Sequence, residues 1–382
     1  MNKNQNDFIN LLKNALKPDK VIVDNINYDE IELIANNHLC LSLIYDGTAR
    51  ASQPLPELWK KYSLWVVANN YKNLNVQSKV ISILENNNIN CAVLKGITVS
   101  RNYPEPLYRP LGDIDILVAA DKYDTAINIL TGTTQRDYEH LKHKFHYQFL
   151  YEGVSIEIHK SITEYTNDEY GYKLKKYLRK ALDNTKTEIY DCFSFPMLSD
   201  EFQIISLALH TQRHFIEHKA TMRMVCDFAI AVRSIENDIW NNKVYPALCE
   251  VDVEIFSCAI MELSSKYLGM DFSGKTKEQI DNETVEELIL EFLCDGISPS
   301  YTDTQNQNCK KTLINMLFTI RQIVKRDFKI IEKFPALFPV FCIYVPLRSL
   351  FRKLSGKRKN ITITGYGASY NRRNSLCKKL KL

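Results

Sequence analysis

The run Arg109–Val118, RPLGDIDILV, limits this chain more than any other stretch. Asp113 and Asp115 stand two residues apart, with Ile114 between them and Ile116, Leu117 and Val118 following. A strand alternates its side chains with period two. Both carboxylates therefore share one face, and Ile114 and Ile116 take the other. Two acids side by side on a buried strand repel each other and are costly to desolvate. A divalent metal holds such a pair ionised. Oxygen-only ligation by few protein groups suits Mg2+, with Mn2+ as the alternative. On this tripeptide alone the bland reading also stands, a strand end with two solvated acids in a turn.

Two neighbours add to the pattern. Upstream, Cys91-Ala-Val-Leu-Lys95-Gly96 is a short apolar run ending in Lys-Gly before a predicted helix. Downstream, Val154-Ser-Ile-Glu157-Ile-His159 alternates again. Ile156 and Ile158 face one way; Ser155, Glu157 and His159 face the other. A third carboxylate on a neighbouring strand is what a two-metal phosphoryl-transfer site needs, with the ions clamping the attacking and leaving oxygens.

In that order the motifs (LKG, R-x-x-G-D-I-D-I-L-V, then E-I-H) resemble the nucleotidyltransferase superfamily typified by DNA polymerase beta. They resemble more narrowly a bacterial nucleotidyltransferase family with an LKG motif. The stretch that carries the motifs is about residues 90–160. Lys95-Gly96 stand where other members of the superfamily carry Gly-Gly or Gly-Ser. The resemblance implies an α+β fold, a small mixed β-sheet core flanked by N-terminal helices and a larger C-terminal α-helical domain. It implies Asp113, Asp115 and Glu157 as metal ligands, an NTP as co-substrate with ATP the first choice, and a hydroxyl-bearing acceptor. It also implies that Arg109 reaches the triphosphate or pairs with an aspartate.

Other residues carry readings of their own. Lys95 neutralises a nucleotide phosphate or is a solvated lysine in a turn. Gly96 lets the backbone approach a phosphate or supplies the turn. His159 orients Glu157, contacts the nucleotide, accepts a proton, or is a satisfied sheet histidine. His210, His214 and His218 fall on one stripe if their helix is continuous. That stripe, with Arg213 and Arg223, faces the catalytic cleft or forms a structural network, and Asp227 pairs with one of these bases. It lacks H-E-x-x-H. His140, His143 and His146 would be scattered by strand spacing, which argues against zinc.

The chain divides by pattern into an N-terminal helical cap (1–88), a catalytic core (89–165), an α-helical domain (166–347) and a basic tail (348–382). In the cap, helices are predicted over Asp7–Leu16, Asp29–Ile44 (broken by Asp46-Gly47) and Leu55–Glu85. In the core, a hairpin is predicted through Glu152-Gly153, beside the Asp113 strand. Gly132–Glu139 can begin another strand. After Asp168 only helical periodicity shows, over Asp200–His218, Thr221–Ile235, Glu254–Leu268, Asn282–Leu293 and Lys311–Phe334. Asp295–Asn308 is a polar loop. Phe334–Leu347 is apolar but too short, and too broken by prolines, to span a bilayer.

Composition adds two limits. Ten cysteines are scattered without C-x-x-C, and several sit in apolar runs. That pattern indicates buried thiols in a reducing cytoplasm rather than a disulfide scaffold or zinc ribbon. The N-terminus lacks the apolar core of a signal peptide. From Arg348 to Leu382 there are eleven Lys/Arg and no Asp/Glu, so the net charge of +4 hides an acidic body with a basic end. Such an end binds an anionic partner or the membrane surface, or is a solubilising tail.

These observations give a magnesium-dependent nucleotidyltransferase, moving an NMP from an NTP to a hydroxyl with release of pyrophosphate. In it Glu157 or Asp115 assists deprotonation of the acceptor, and Lys95, Gly96, Arg109, His159, His210 and Arg213 bind nucleotide. Two alternatives stay open: a degenerate nucleotide sensor or scaffold without turnover, and a toxin-like enzyme modifying RNA. No RNA-recognition motif with interleaved aromatics is present.

Overall fold

The computed structural model describes residues 1–17, 23–50, 54–132, 141–142, 145–165, 169–294, 337–344, 347, 373 and 375–382. Helices α1 (Lys3–Leu16), α2 (Tyr28–Asn37), α3 (Leu41–Arg50) and α4 (Glu57–Asn86) come first. Strand β1 (Cys91–Val93), the short α5 (Ile97–Ser100), β2 (Ile114–Val118) and α6 (Tyr123–Gly132) follow. Next are β3 (Leu141–Lys142), β4 (His146–Tyr151), β5 (Val154–His159) and α7 (Glu169–Leu178), then β6 (Lys186–Tyr190) and β7 (Phe193–Met197). Helices α8 (Asp200–Ile216), α9 (Met222–Ser234), α10 (Asn237–Ile239), α11 (Tyr245–Glu250), α12 (Glu254–Leu268) and α13 (Asn282–Cys294) complete the described chain apart from its end.

The protein is α+β, with one seven-stranded mixed sheet in the order β3-β4-β5-β2-β1-β7-β6. β2 pairs antiparallel with β1 and parallel with β5. Alternation decides which face each residue serves. Ile114, Ile116, Val118, Ile156 and Ile158 join the second half of α4 (Leu74, Val80, Leu84) and α6 (Ala126, Leu130) in one core. Leu94 and Leu117 turn to the opposite face and join the larger core built on α1, α8, α9 and α12. The acidic positions share that second face, so the site opens between the sheet and the helices after it.

The hairpin reading holds. Glu152 and Gly153 both have positive φ (50° and 72°), the turn that two-residue hairpin loops favour, and β4 pairs with β5 throughout. The reading of only helices after Asp168 is corrected, because β6 and β7 form an edge hairpin that joins the sheet through Val93 and Met197. β6 alternates between half-buried and exposed positions, which leaves too weak a pattern for the sequence to show.

The Asp29–Ile44 helix is also corrected. It breaks at His38–Cys40, where Leu39 has φ +57°, and Asp46-Gly47 lie inside α3. Gly47 is there for close approach. A Cβ on it would lie 2.7 Å from the Asn14 carbonyl carbon and nearer still to Ala15 N, both in the backbone of α1. Gly47→Ala is therefore expected to destabilise by about 1–3 kcal/mol, despite alanine's better helix propensity. A urea titration checks this, and a Gly47→Ala protein as stable as wild type would refute the contact.

The described end of the basic tail is docked rather than free. Arg373 stands 2.8 Å from Glu291 and lies over the Phe215 ring, Leu376 and Leu380 are buried, and Lys379 reaches Glu287 at 3.2 Å. The predicted strand start over Gly132–Glu139 lies outside the described residues from 133 on, as does the polar loop Asp295–Asn308. So do the helix predicted over Lys311–Phe334 and residues 334–336 and 345–346 of the apolar run Phe334–Leu347. Among the described residues no helix is long and apolar enough to cross a membrane. The nine cysteines among them are all free.

Candidate active site

The parallel register of β2 and β5 sets Asp115 directly opposite Glu157. Asp113 precedes β2 by one residue and is exposed, whereas Asp115 is 3% exposed. Carboxylate oxygens of Asp113, Asp115 and Glu157 lie within 4.8 Å of one another. The three acids read from the sequence therefore converge.

Two cations stand against them. Lys95 Nζ is 3.1 Å from Asp115 Oδ1. His159 Nε2 lies 2.8 Å from Asp115 Oδ1 and 3.2 Å from Glu157 Oε2. Burial works against the Asp115 charge, but Lys95 and His159 outweigh it and hold this carboxyl well below the usual range. Glu157 is lowered too, the hydrogen bond from His159 overcoming its burial. Burial disfavours the imidazolium of His159, yet its bonds to both carboxylates raise it above the ordinary histidine value. Asp113 goes the other way. The Asp115 charge pushes it up to about 6, with the crowding of its carboxyl among the other site groups adding to this, against the pull of Lys95.

A group of acids that forces one member up in this manner fits a divalent ion, which would relieve the repulsion that no protein cation cancels at Asp113. A second set among the described residues, His146, Glu157 and His159, also converges and shares Glu157. The oxygen set is the better fit for Mg2+ or Mn2+.

The loop that presents Asp113 is held from behind by α4. Asn70 Nδ2 donates to the Leu107 and Arg109 carbonyls (2.7 and 2.9 Å), and Asn70 Oδ1 accepts from Leu111 N at 3.0 Å. Asn73 Nδ2 donates to Gly112 O at 2.7 Å. The sequence reading missed both residues. Their signal is polar side chains on the buried face of an amphipathic helix. Gln203 of α8 does the same for the first motif, donating to Leu94 O (3.0 Å) and to Thr98 Oγ1 (2.9 Å). Gly96 follows Lys95 with φ +68°, a conformation that disfavours any side chain, and nothing lies nearer a Cβ there than Leu111 O at 4.0 Å. Gly96 is itself buried, so it is the conformation and not crowding that calls for glycine here.

Other residues from the sequence reading lie elsewhere. Arg109 is 3% exposed and grips Asp227 of α9 through Nε (2.9 Å) and Nη2 (2.6 Å), while Tyr103 OH donates to the same carboxylate at 2.8 Å. It pairs with an aspartate, as one reading had it, but with Asp227 and not with a metal-site acid. Arg213 pairs with Glu164 at 2.9 Å. His210 and His214 sit with rings 4.4 Å apart. The three-histidine stripe stops there, because α8 ends at Ile216 and His218 has φ +56°. Burial, helped by the charges of Lys95 and the neighbouring arginines, keeps His210 well below its ordinary range and brings His214 down to about 4. His140 and His143 lie outside the described residues.

Residues 24–269, which span the carboxylates, Lys95 and the helices α8 and α9, match a family model described as an uncharacterised nucleotidyltransferase. No curated protein and no solved structure matches the chain.

Proposed function

The chain belongs to the uncharacterised nucleotidyltransferase family, and on that premise we propose that it transfers an NMP from an NTP to a hydroxyl acceptor. The observation that carries the proposal is the convergence of Asp113, Asp115 and Glu157 on adjacent parallel strands. These three would hold Mg2+ or Mn2+. When bound, such ions supply Lewis-acid charge neutralisation at the phosphates.

The chain's own groups do the rest. Lys95 is positioned to balance phosphate charge next to Asp115. Gly96 supplies the positive-φ turn that follows Lys95. Of the two bases considered from the sequence, both meet His159 but Asp115 alone also meets Lys95, so Glu157 is assigned the proton of the attacking hydroxyl. The hydroxyl oxygen then bonds to the α-phosphorus, the bond from that phosphorus to the bridging oxygen breaks, and pyrophosphate leaves with the electron pair. Positioning and charge neutralisation account for the catalysis, with no covalent intermediate on the protein. ATP is the first nucleotide to test.

The test uses each of the four NTPs, α-labelled, with Mg2+ or Mn2+, and a cell lysate split into small-molecule, protein and RNA fractions. Label is expected in one fraction with wild type and in none with Asp113→Asn/Asp115→Asn. That result also names the acceptor class. Metal-dependent NTP binding without transfer to any fraction would replace the transferase with a nucleotide sensor.

A further inference from the structure

Among the described residues, Arg223 has no acid of its own. It sits on the first turn of α9 and makes a long hydrogen bond, 3.4 Å from Nη1 to the Pro110 carbonyl. Its Nε is buried and has no hydrogen-bond partner. Among the described residues no carboxylate lies within ion-pair distance of it. The acid one turn further on, Asp227, is already filled by both arms of Arg109 and by Tyr103 OH. Two guanidinium groups thus flank one carboxylate. Burial and the Arg109 charge both work against the charged form of Arg223. A guanidinium offers five donors in a planar fork, and one held half-buried with its Nε unpartnered is costly unless something else brings the anion.

The place of Arg223 tells which anion. Pro110 begins the short loop that leads to Asp113. His210 feels the charges of both Lys95 and Arg223. Lys95 in turn stands 3.1 Å from Asp115. Lys95, beside the metal-site carboxylates, and Arg223, beside the Pro110 loop, thus both act on one neutral histidine, His210. His214 adds a buried Nδ1 without a partner beside the His210 ring. Arg213, committed to Glu164, is not part of this group.

We infer that Arg223, with Lys95 and the His210–His214 pair, forms an anion pocket that takes the terminal phosphates of a nucleoside triphosphate and holds the leaving pyrophosphate. This rests on the transferase reading for its ligand. It adds a selectivity to that reading: a triphosphate is expected to engage Arg223, and a monophosphate is not. Phosphate recognition by a guanidinium is bidentate, so lysine replaces it only in part.

The test titrates inorganic triphosphate, without metal, onto the full chain by calorimetry. Arg223→Gln is expected to weaken binding at least about 10-fold, and Arg223→Lys to recover part of the loss. Asp113→Asn/Asp115→Asn is expected to bind at least as tightly as wild type, since it removes negative charge beside the pocket. The melting temperature of Arg223→Gln is expected to equal or exceed that of wild type, because it removes a charge with no partner. Wild-type affinity in Arg223→Gln would overturn the pocket, as would a fall of several degrees in its melting temperature, which marks a structural partner. Transfer that persists while triphosphate binding ignores Arg223 sinks the pocket alone. Triphosphate binding that depends on Arg223 in a protein with no transfer activity sinks the transferase alone.

Discussion

Arg109→Met is expected to cost about 3–5 kcal/mol of stability, the usual result of removing one partner from a buried ion pair. The charge left behind is Asp227, on the buried face of α9 and reduced to its bond from Tyr103 OH. Burial works against the Asp227 charge, and in the intact protein Arg109 outweighs it. Arg223, next along the helix, can approach the abandoned carboxylate and will soften the loss, which places the result toward the lower end of that range. Arg109→Met/Asp227→Leu is expected to recover most of the stability, because a well-packed apolar pair of similar volume often matches a buried ion pair. Urea denaturation of the four proteins in the cycle gives the coupling directly. A single Arg109→Met variant as stable as wild type would show that the pair contributes nothing. The stability matters to the site because Arg109 sits on the loop that Asn70 and Asn73 fasten behind Asp113.

The geometry of that loop explains which parts of the site the sequence could show. Asp113, Asp115 and Glu157 were legible because strand alternation is local: apolar residues one apart on β2 and β5 force the acids to the other face. Their convergence needed one further step, the pairing of β5 with β2, and the hairpin turn at Glu152-Gly153 pointed to it. The partner of Arg109 was not legible. It lies 118 residues away in sequence, and nothing near Arg109 distinguishes a phosphate from an aspartate as the anion it meets. The same holds for Arg213, whose Glu164 follows β5.

Gly47 shows the limit from another side. Asp-Gly reads as a break in any helical pattern, yet here the glycine lets α3 touch the backbone of α1, and the break falls at Leu39 instead. A residue kept for close packing and one kept for a turn look alike until the neighbouring helix is known. The hairpin of β6 and β7 was hidden for a related reason. It is an edge element joined to the sheet by its register with β1, and β6 alternates only between half-buried and exposed positions.

Asp113→Asn and Asp115→Asn are expected to fail alike in transfer and to differ in stability. Each removes a ligand from the three-acid set, and each should lose about 10^3-fold in kcat/KM, roughly 4 kcal/mol of transition-state stabilisation. Their effects on the metal-free protein have opposite signs. Asp115 is the carboxylate that satisfies Lys95 and His159, so its loss leaves two cations facing each other and should lower stability. Asp113 titrates at about 6, above its ordinary 3.8, because Asp115 repels its charge. Between those two values the folded protein holds a proton that the unfolded chain has released, so wild-type stability falls as the pH rises from about 4 to about 6. Asp113→Asn lacks that loss. It should be the more stable protein above pH 6, by the order of 1 kcal/mol once the exposure of Asp113 is allowed for. Its advantage should shrink to nothing below pH 4. Magnesium should reverse the ranking, because an ion that binds the folded protein stabilises wild type and has lost a ligand in the variant. Thermal melts of the three proteins at pH 4, 5 and 7, with and without Mg2+, separate these effects. An Asp113→Asn protein less stable than wild type at pH 7 without metal would mean that Asp113 is held by a partner and does not feel the repulsion on which the metal reading depends.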